Sequence, residues 1–414
     1  MLRILIVTPY LPWPLCSGGN AAQFSSLLCL QEDHRFTLLV PIYTDAQIAD
    51  ALELQRNLPR VNVHAIFCGS RQPKLSAIAF CRSALLRALA IVGRKPQATG
   101  LPSDHIPFYP FYLLPRVFIE ALFVEVAKRP DFVQIEFAEM LPLGAVLPPS
   151  LPKLFIHQQI HSVYADRFVA THGSSPYADY VTALIHAEEC NYLNYYDGVI
   201  AFSEKDKQEI NAMTPTVPVF VSPFPVPADV GITSLPLPQF DGRFVFLGSE
   251  PHDPNRDALQ WLLAEIWPKI IQHLPTARLL VIGAWSNAWR QKFPCRSISF
   301  PGFVEDLPAT VHGTVMLVPL RIGSGIRTKI ITAMAQGVPV VSTTIGAEGL
   351  PVAAGKDLLI SDDAASFAAL AVQLAHDPDI WKRLTQNGLQ MVSQFYSPDK
   401  VRETRNRIYS KLAH

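Results

Sequence analysis

Short apolar runs, bounded by turn residues and separated by segments with helical periodicity, recur along this chain and constrain its fold more than any other feature. In the first half they are residues 3–8, 36–40, 61–67, 132–136, 153–157, 198–202 and 217–221. Runs of this length are typical of parallel strands that helices cover on both faces. We therefore expect an α/β fold.

The alternation stops between residues 223 and 241, where proline recurs, and then begins again. The second series of apolar runs is residues 244–248, 278–283, 297–300, 315–320, 338–343 and 358–360, with helical patterns at 256–272 and 326–336. A chain of 414 residues also exceeds the size that one hydrophobic core usually supports. We predict two doubly wound, Rossmann-like domains that face a cleft. They are residues 1–222 and 242–394, joined by a Pro-rich linker at 223–241.

The composition excludes several classes of protein. With 49% hydrophobic and 17% charged residues, the chain is not intrinsically disordered. Its 35 basic and 35 acidic residues leave no net charge, so we expect no nucleic acid partner. The six cysteines are widely spaced and include no CxxC pair, which favours small buried side chains in a reducing, cytoplasmic compartment over disulfides or a zinc site.

The lengths of the apolar runs indicate what contact with a membrane the chain can make. No run reaches the ~18 apolar residues of a membrane span, and residues 4–7 are too short for a signal peptide and predict a strand. Residues 75–92 come closest to a span, but Arg82 and Arg87 lie in their middle. Together with residues 107–123 they predict either a buried helix pair or an apolar, basic-edged surface that rests on the inner face of a membrane.

Residues 321–337, RIGSGIRTKIITAMAQG, carry the strongest chemical signal. They follow a predicted strand, and their apolar spacing predicts a helix that ends at Gly337. Gly323, Ser324 and Gly325 would then lie at a strand-to-helix turn, where free backbone N–H groups and the helix dipole attract an anion. Such glycines also serve ordinary tight turns, so this signal is weak alone.

The surrounding motifs resemble the donor-binding region of family 4 glycosyltransferases, which are retaining enzymes with the GT-B fold. The similar segments are GFVEDL at residues 302–307, GSGIRTKIITAMAQG at 323–337 and GAEGL at 346–350, with LGSEPHDPN opening the second domain at 247–255. The likeness covers residues 244–374 in order and spacing. The first half is similar more loosely, through Gly18 and Gly19 and through DGVIAFSE at 197–204.

The resemblance implies a nucleotide-diphosphate sugar as donor substrate, no cofactor, and no metal. It also implies that the C-terminal helix, residues 395–414, crosses back to the first domain. The implied donor-binding residues are Gly18, Gly19, Gly248, Phe303, Val304, Gly323, Ser324, Gly325, Thr332 and Glu348. Within this set, the diphosphate would lie at residues 323–325 and the base near Phe303. Gly18 and Gly19 would face the diphosphate from a second helix start, with Asn20 as its N-cap.

The implied catalytic residues are Arg327 and Lys329, which would stabilise the departing diphosphate from the first turn of the helix. The family's EHNVES-like segment is similar here to HQQIHS, so Gln158 takes the usual His position between His157 and His161. If the strand runs through His157, these groups would position the sugar or the acceptor. Ordinary core histidines are the open alternative.

Two departures from the family pattern concern the donor site. Thr332 stands where many members have a ribose-binding Glu, and Ser324 stands at the first position of that Glu pair. A DxD triplet, Asp377 to Asp379, predicts a helix start and not a metal site.

Together these features predict a retaining, metal-independent transferase of hexosyl type in bacterial-type polysaccharide or glycoconjugate synthesis. Its acceptor would be a glycan, lipid-linked or other molecule. Two alternatives stay open. One is a catalytically silent relative that acts as a scaffold in glycan assembly. The other is a different GT-B enzyme, such as an epimerase.

Overall fold

The computed structural model describes residues 1–15, 17–69, 112–233 and 238–413. They contain two parallel sheets, and each strand of the first sheet coincides with one of the apolar runs in the first half of the chain. In chain order these strands are β1 (Arg3–Val7), β2 (Arg35–Ile42), β3 (Val61–Phe67), β4 (Phe132–Glu136), β5 (Lys153–Ile156), β6 (Gly198–Ala201) and β7 (Val219–Val221). The seven strands lie in the order β3-β2-β1-β4-β5-β6-β7. Both neighbours of β1 run parallel to it. In this register Ile6 pairs with Leu38 of β2 on one side and with Gln134 of β4 on the other.

The second sheet is built from the second series of apolar runs. Its strands are β8 (Arg243–Leu247), β9 (Arg278–Ile282), β10 (Ile298–Gly302), β11 (Val315–Val318), β12 (Val340–Ser342) and β13 (Leu359–Ile360). They form a six-stranded sheet in the order β10-β9-β8-β11-β12-β13. Both strand orders reverse beside the first strand, which is the doubly wound arrangement that opens a crevice at the carboxyl ends.

Every predicted strand is present, and the α/β, GT-B-type fold class is confirmed. Strand ends differ by a residue or two, as for the run at 217–221, whose strand begins at Val219. The two sheets fall on either side of the Pro-rich segment, although the domain boundaries themselves stay a prediction.

Helices cover both sheets. They are α1 (Gly18–Leu30), α2 (Asp45–Asn57), α3 (Arg116–Val126), α4 (Leu143–Val146), α5 (His161–His172), α6 (Pro176–Leu193), α7 (Glu204–Met213), α8 (Asp253–Trp261), α9 (Trp267–His273), α10 (Asn287–Arg290), α11 (Leu307–Val311), α12 (Thr328–Ala335), α13 (Thr344–Ala347), α14 (Ala364–His376), α15 (Pro378–Phe395) and α16 (Pro398–Leu412). A 3-10 turn lies at Ala138–Met140.

The helix predicted at residues 256–272 is present, but it is not α-helical throughout. A π-helical turn, Leu262–Ile266, separates α8 from α9. Pro268, near the start of α9, lacks the N–H that a continuous α-helix would require at that point. A local π-turn accommodates such an interruption while the apolar face stays buried.

The last helix returns to the first sheet, as predicted. α16 packs against α1. The Tyr409 hydroxyl of α16 donates a hydrogen bond of 2.6 Å to Gln134 Oε1 in β4. Asn406 Nδ2 donates a bond of 2.7 Å to Asp33 Oδ2, in the turn after α1. Helix α16 thus connects the helices around the second sheet to the first sheet.

The predictions for the cysteines, for the two apolar segments and for a membrane span have different outcomes. The prediction of buried cysteines is wrong for the described ones, because Cys29, Cys68 and Cys190 are only half-buried and Cys295 is exposed. Cys16 and Cys81 lie outside the described residues. Residues 75–92, and 107–111 of the second apolar segment, also lie outside them. In the part of the chain that the structure describes, no helix combines the length and apolar character needed to cross a membrane.

Candidate functional site

The loop between β11 and α12 forms one wall of a junction between the two sheets. Gly323 and Gly325 have φ angles of 122° and 76°, which residues with a side chain rarely adopt. A Cβ on Gly325 would lie 3.1 Å from the backbone oxygen of Gln158. The glycines are therefore needed for this close approach of two segments far apart in sequence.

The predicted helix start at this loop is wrong by two residues. Helix α12 begins at Thr328, and Arg327 takes the N-cap position without a side-chain cap. The side chain of Ser324 turns away from the helix, and its hydroxyl donates to the backbone oxygen of Ile160 at 2.8 Å. The first N–H groups of α12 are thus left available for an anion.

Arg327 is half-buried at this helix start, and its guanidinium is only partly paired. One guanidinium nitrogen donates to the backbone oxygens of Ser324 and Gly325, the latter at 2.9 Å. Among the described residues, its Nε and its other terminal nitrogen have no hydrogen-bond partner. Burial lowers the pKa of Arg327 to about 10. A cation whose buried donors are unused is a strong attractor for an anionic ligand.

Lys329 adds a second half-buried cation in the first turn of α12, as predicted. Its Nζ donates to Asn255 Oδ1 at 2.8 Å and lies 5.3 Å from the centre of the Phe246 ring. Burial, with the nearby charge of Arg327, lowers the pKa of Lys329 to about 7. Gly248 supports this arrangement, because a Cβ there would lie 2.6 Å from the Asn255 side chain.

The start of α1 faces the start of α12. A Cβ on Gly18 would lie 2.5 Å from Thr328 Oγ1, so the structure brings the two glycine-flanked helix starts together. The predicted N-cap is wrong: Ser17 caps α1 by accepting from the N–H of Asn20 at 3.1 Å. Asn20 instead uses its side chain to bind the backbone oxygen of Leu11.

The HQQIHS segment lies between these helix starts, but its local structure differs from the prediction. Strand β5 ends at Ile156, so it does not run through His157, and His161 is the first residue of α5 rather than part of a turn. Burial lowers the pKa of His157 to about 4, which makes its neutral form the relevant one near neutral pH. Within the described part of the chain, neither ring nitrogen of His157 makes a hydrogen bond, and Nε2 lies 3.5 Å from Glu189 Oε1.

Glu189 is a buried residue of α6 that organises this segment. Its carboxylate accepts from the backbone N–H groups of His161 and Ser162, at 2.7 and 3.0 Å. Ile160, which precedes α5, has no side chain that could cap the helix. Glu189 therefore supplies the anionic cap from a different helix.

Two further residues at the junction have no signal in the sequence motifs. Glu136, the last residue of β4, accepts from Gln158 Nε2 at 2.9 Å. Arg167 in α5 binds Glu348 through two nitrogens, at 2.5 and 2.8 Å, and donates to the backbone oxygen of Gly323 at 2.6 Å. Pairing with Arg167 neutralises Glu348 beside the predicted diphosphate position. For Glu136, the one available signal is its position at the end of β4, which pairs with the strand that precedes Gln158.

The remaining predicted donor residues lie in the second half. Thr332 is buried in α12, one turn after Thr328. Phe303 is 79% exposed, and Val304 beside it is half-buried. Phe303 lines a recess of about 650 Å³ whose other members include Glu250, Arg256, Trp285, Ser286 and Arg290. This recess lies outside the carboxyl ends of β8 to β10, where this kind of sheet binds ligands.

The DxD triplet is used as a helix start, as predicted. The Asp377 carboxylate accepts from the backbone N–H groups of Asp379 and Ile380, both at 3.0 Å, at the beginning of α15. Its side chain is therefore engaged in capping.

Comparison with known proteins finds one matching family model and one similar protein of known sequence. Residues 241–377 match the family model described as "Glycosyl transferases group 1". A protein of Klebsiella pneumoniae, described as an uncharacterized 44.6 kDa protein in the cps region, is 25% identical over 167 residues. That match spans 38% of this chain and 43% of the relative's length.

Solved structures resemble the whole chain. Sucrose-phosphate synthase from Thermosynechococcus elongatus is 15% identical, with a TM-score of 0.69 over 100% of this chain and 99% of that one. A mutant of S. aureus TarM, solved in complex with UDP and other ligands, is 12% identical, with a TM-score of 0.67 over 99% and 100%. HepE of Anabaena in complex with UDP-glucose is 15% identical, with a TM-score of 0.64 and full coverage of both chains. At these identities the likeness establishes a shared fold.

Proposed function

We propose that this chain, whose residues 241–377 match the glycosyl transferases group 1 model, transfers a sugar from a nucleotide-diphosphate donor. The observation that carries the proposal is the half-buried Arg327, whose Nε and one terminal nitrogen are buried with no partner among the described residues, at the start of α12, opposite the start of α1. A diphosphate bound there would meet two sets of backbone N–H groups and two cations. Known structures with this fold, TarM and HepE, bind UDP and UDP-glucose respectively.

The proposed chemistry places most of its demand on electrostatics. Negative charge grows on the diphosphate as the sugar departs, and fixed N–H groups, Arg327 and Lys329 would stabilise that charge without reorganising. We propose retention of configuration without a metal, with the leaving phosphate accepting the proton of the acceptor hydroxyl. His157, Gln158 and His161 would then position the sugar or the acceptor, since the neutral, buried His157 is poorly placed to exchange protons with solvent.

The nucleotide base would lie in the recess beside Phe303. Gly248 would support Lys329 through Asn255, Thr332 would offer a hydroxyl to the ribose, and Glu348 would face the donor sugar. We propose a glycan or lipid-linked acceptor in polysaccharide synthesis, consistent with the relative from a cps region. Peripheral contact with the inner face of a membrane belongs to the same proposal.

One observation favours a second candidate, a catalytically silent relative that binds partners in glycan assembly. Thr332 and Gln158 stand at positions where the family usually has Glu and His. A Thr hydroxyl binds ribose without the strength of a charge-assisted bond. Release of free sugar from a donor by the purified protein would separate the enzyme from this alternative, and release of an isomerised sugar would indicate an epimerase.

The first test is a thermal-shift screen of UDP-, GDP- and other nucleotide sugars against the wild type, Arg327→Ala and Lys329→Ala. A ligand at 100 times its dissociation constant stabilises the fold by about 2.7 kcal/mol, which the assay detects readily. We expect a shift for the wild type that both variants lose. Lys382→Ala, which changes an exposed lysine on α15, is the matched control and should keep the shift. If both site variants keep the wild-type response, the diphosphate site is assigned wrongly.

A further inference from the structure

Glu136 is a buried carboxylate whose position follows directly from the strand register. It ends β4 and pairs with Ile156 of the parallel strand β5. Gln158 lies two residues beyond Ile156, just past the end of β5, and its side chain reaches Glu136. The two side chains meet there, with Gln158 Nε2 at 2.9 Å from Glu136 Oε2.

A chain of hydrogen bonds fixes which way each amide around Glu136 is turned. The Tyr409 hydroxyl donates to Gln134 Oε1 at 2.6 Å, and Gln134 Nε2 donates to Glu136 Oε1 at 2.7 Å. A carboxylate has only acceptors, so both neighbouring amides must present nitrogen to it. The side-chain nitrogen of Gln158 therefore donates to Glu136, and its carbonyl oxygen Oε1 remains available as an acceptor.

That carbonyl oxygen points toward the junction of the two helix starts. Gln158 Oε1 lies 3.9 Å from the position that a Cβ on Gly19 would take. The backbone oxygen of the same residue lies 3.1 Å from the corresponding position on Gly325. Gln158 is thus placed between the two glycine segments that the proposed function assigns to the diphosphate.

We propose that Glu136 is a positioning residue that holds Gln158 so that Oε1 accepts a hydrogen bond from a hydroxyl of the donor sugar. A diphosphate has no hydrogen to donate at neutral pH, whereas every sugar hydroxyl has one. A carbonyl at this place therefore binds the sugar and rejects the diphosphate, so it helps to fix which end of the donor lies here. The inference rests on the proposed function.

Arg405 completes the arrangement from the last helix. It is 1% exposed, and its Nε donates to Ser222 Oγ at 3.1 Å. Burial raises the pKa of Glu136, while the charge of Arg405 and the amide donors oppose that rise. The positive charge thus favours the acceptor-only form of the carboxylate on which the orientation of Gln158 depends.

The test is a double-mutant cycle of Glu136→Gln and Gln158→Ala. Donor hydrolysis is followed with UDP-glucose, UDP-N-acetylglucosamine and GDP-mannose, and binding of UDP and GDP is measured separately. A Gln at position 136 can present nitrogen or oxygen, so Gln158 loses its fixed orientation. We expect kcat to fall about tenfold, the effect of one lost hydrogen bond, while the Kd of the nucleotide diphosphate stays within about twofold. On the Gln158→Ala background, Glu136→Gln should have no further effect.

Tyr196→Phe is the control, because it removes a buried hydrogen bond outside this network, from the Tyr196 hydroxyl to the backbone oxygen of Leu141 at 2.7 Å. It should lower Tm but keep kcat. If Glu136→Gln does not fold, Glu136→Asp keeps the charge, is one methylene too short to hold Gln158, and should give the same loss of kcat. An equal loss of kcat with and without Gln158 overturns the inference and leaves the proposed function standing. If the wild type binds a nucleotide diphosphate but hydrolyses no donor, the proposed function fails and this inference with it.

Discussion

At the scale of single residues, Lys329 is a half-buried side chain with a titratable charge. Its pKa is lowered to about 7, whereas an unfolded lysine has a pKa of about 10.4. Between these values the unfolded chain binds a proton that the folded chain does not, so stability rises with pH across this window. We expect Lys329→Met to stabilise the ligand-free protein at pH 6.5, where the wild type must bury the charged form. The gain should disappear near pH 10.

Urea denaturation of both proteins at the two pH values measures this difference. Lys382→Met removes an exposed lysine and should change the free energy of unfolding little at either pH. A gain from Lys329→Met that is equal at both pH values would show that side-chain packing, and not the buried charge, is responsible.

At the scale of elements, the sequence predicted the strands well and the helix starts poorly. A buried strand needs only a short apolar run, and that information is local. A helix start depends on which group caps it, and α5 is capped by Glu189 from another helix. Likewise Ser17, not Asn20, caps α1, because the Asn20 side chain binds the backbone of Leu11.

The residues of the candidate site also fall into two groups, those that the sequence indicates and those that it does not. Arg327 and Lys329 lie close together in sequence on one loop and helix, so a motif could indicate them. Arg167 and Glu136 reach the site only through the packing of the first sheet and its helices. No spacing in the sequence predicts their contacts, because their partners are distant along the chain.

The cap of α5 supplies a prediction at this scale. Glu189→Gln removes the anion that accepts from the N–H groups of His161 and Ser162. We expect the free energy of unfolding to fall by about 1–2 kcal/mol, as for the loss of a good N-cap with its charge. Glu188→Gln is the matched control. Burial and its acidic neighbours raise the pKa of Glu188 to about 7, so its charge is unfavourable in the fold and removing it should not destabilise the protein. Equal losses in denaturant titrations at pH 7.5 would contradict the capping role.

At the scale of the whole molecule, α16 ties the second half of the chain to the first. Asp33, in the turn after α1, pairs with Arg402 and Asn406 of α16, and these bonds lower its pKa below the usual range. A carboxylate with a lowered pKa contributes stability above its unfolded pKa and loses it as the pH falls. Because the pair still contacts solvent, with Arg402 40% exposed and Asp33 20% exposed, Asp33→Asn should lower stability at pH 7 by at most about 1 kcal/mol. The loss should be smaller at pH 3.

The positions of the tryptophans allow this link to be tested across the molecule. Of the six tryptophans, all but Trp13 belong to the second half: Trp261, Trp267, Trp285, Trp289 and Trp381. If α16 couples the two halves, Asp33→Asn should shift the fluorescence transition in urea, although the substitution lies in the first half. Glu53→Gln breaks an exposed ion pair within α2 and should leave that transition in place. A shift seen by circular dichroism but not by fluorescence would mean that the halves unfold independently. The contacts of α16 would then brace only the first sheet.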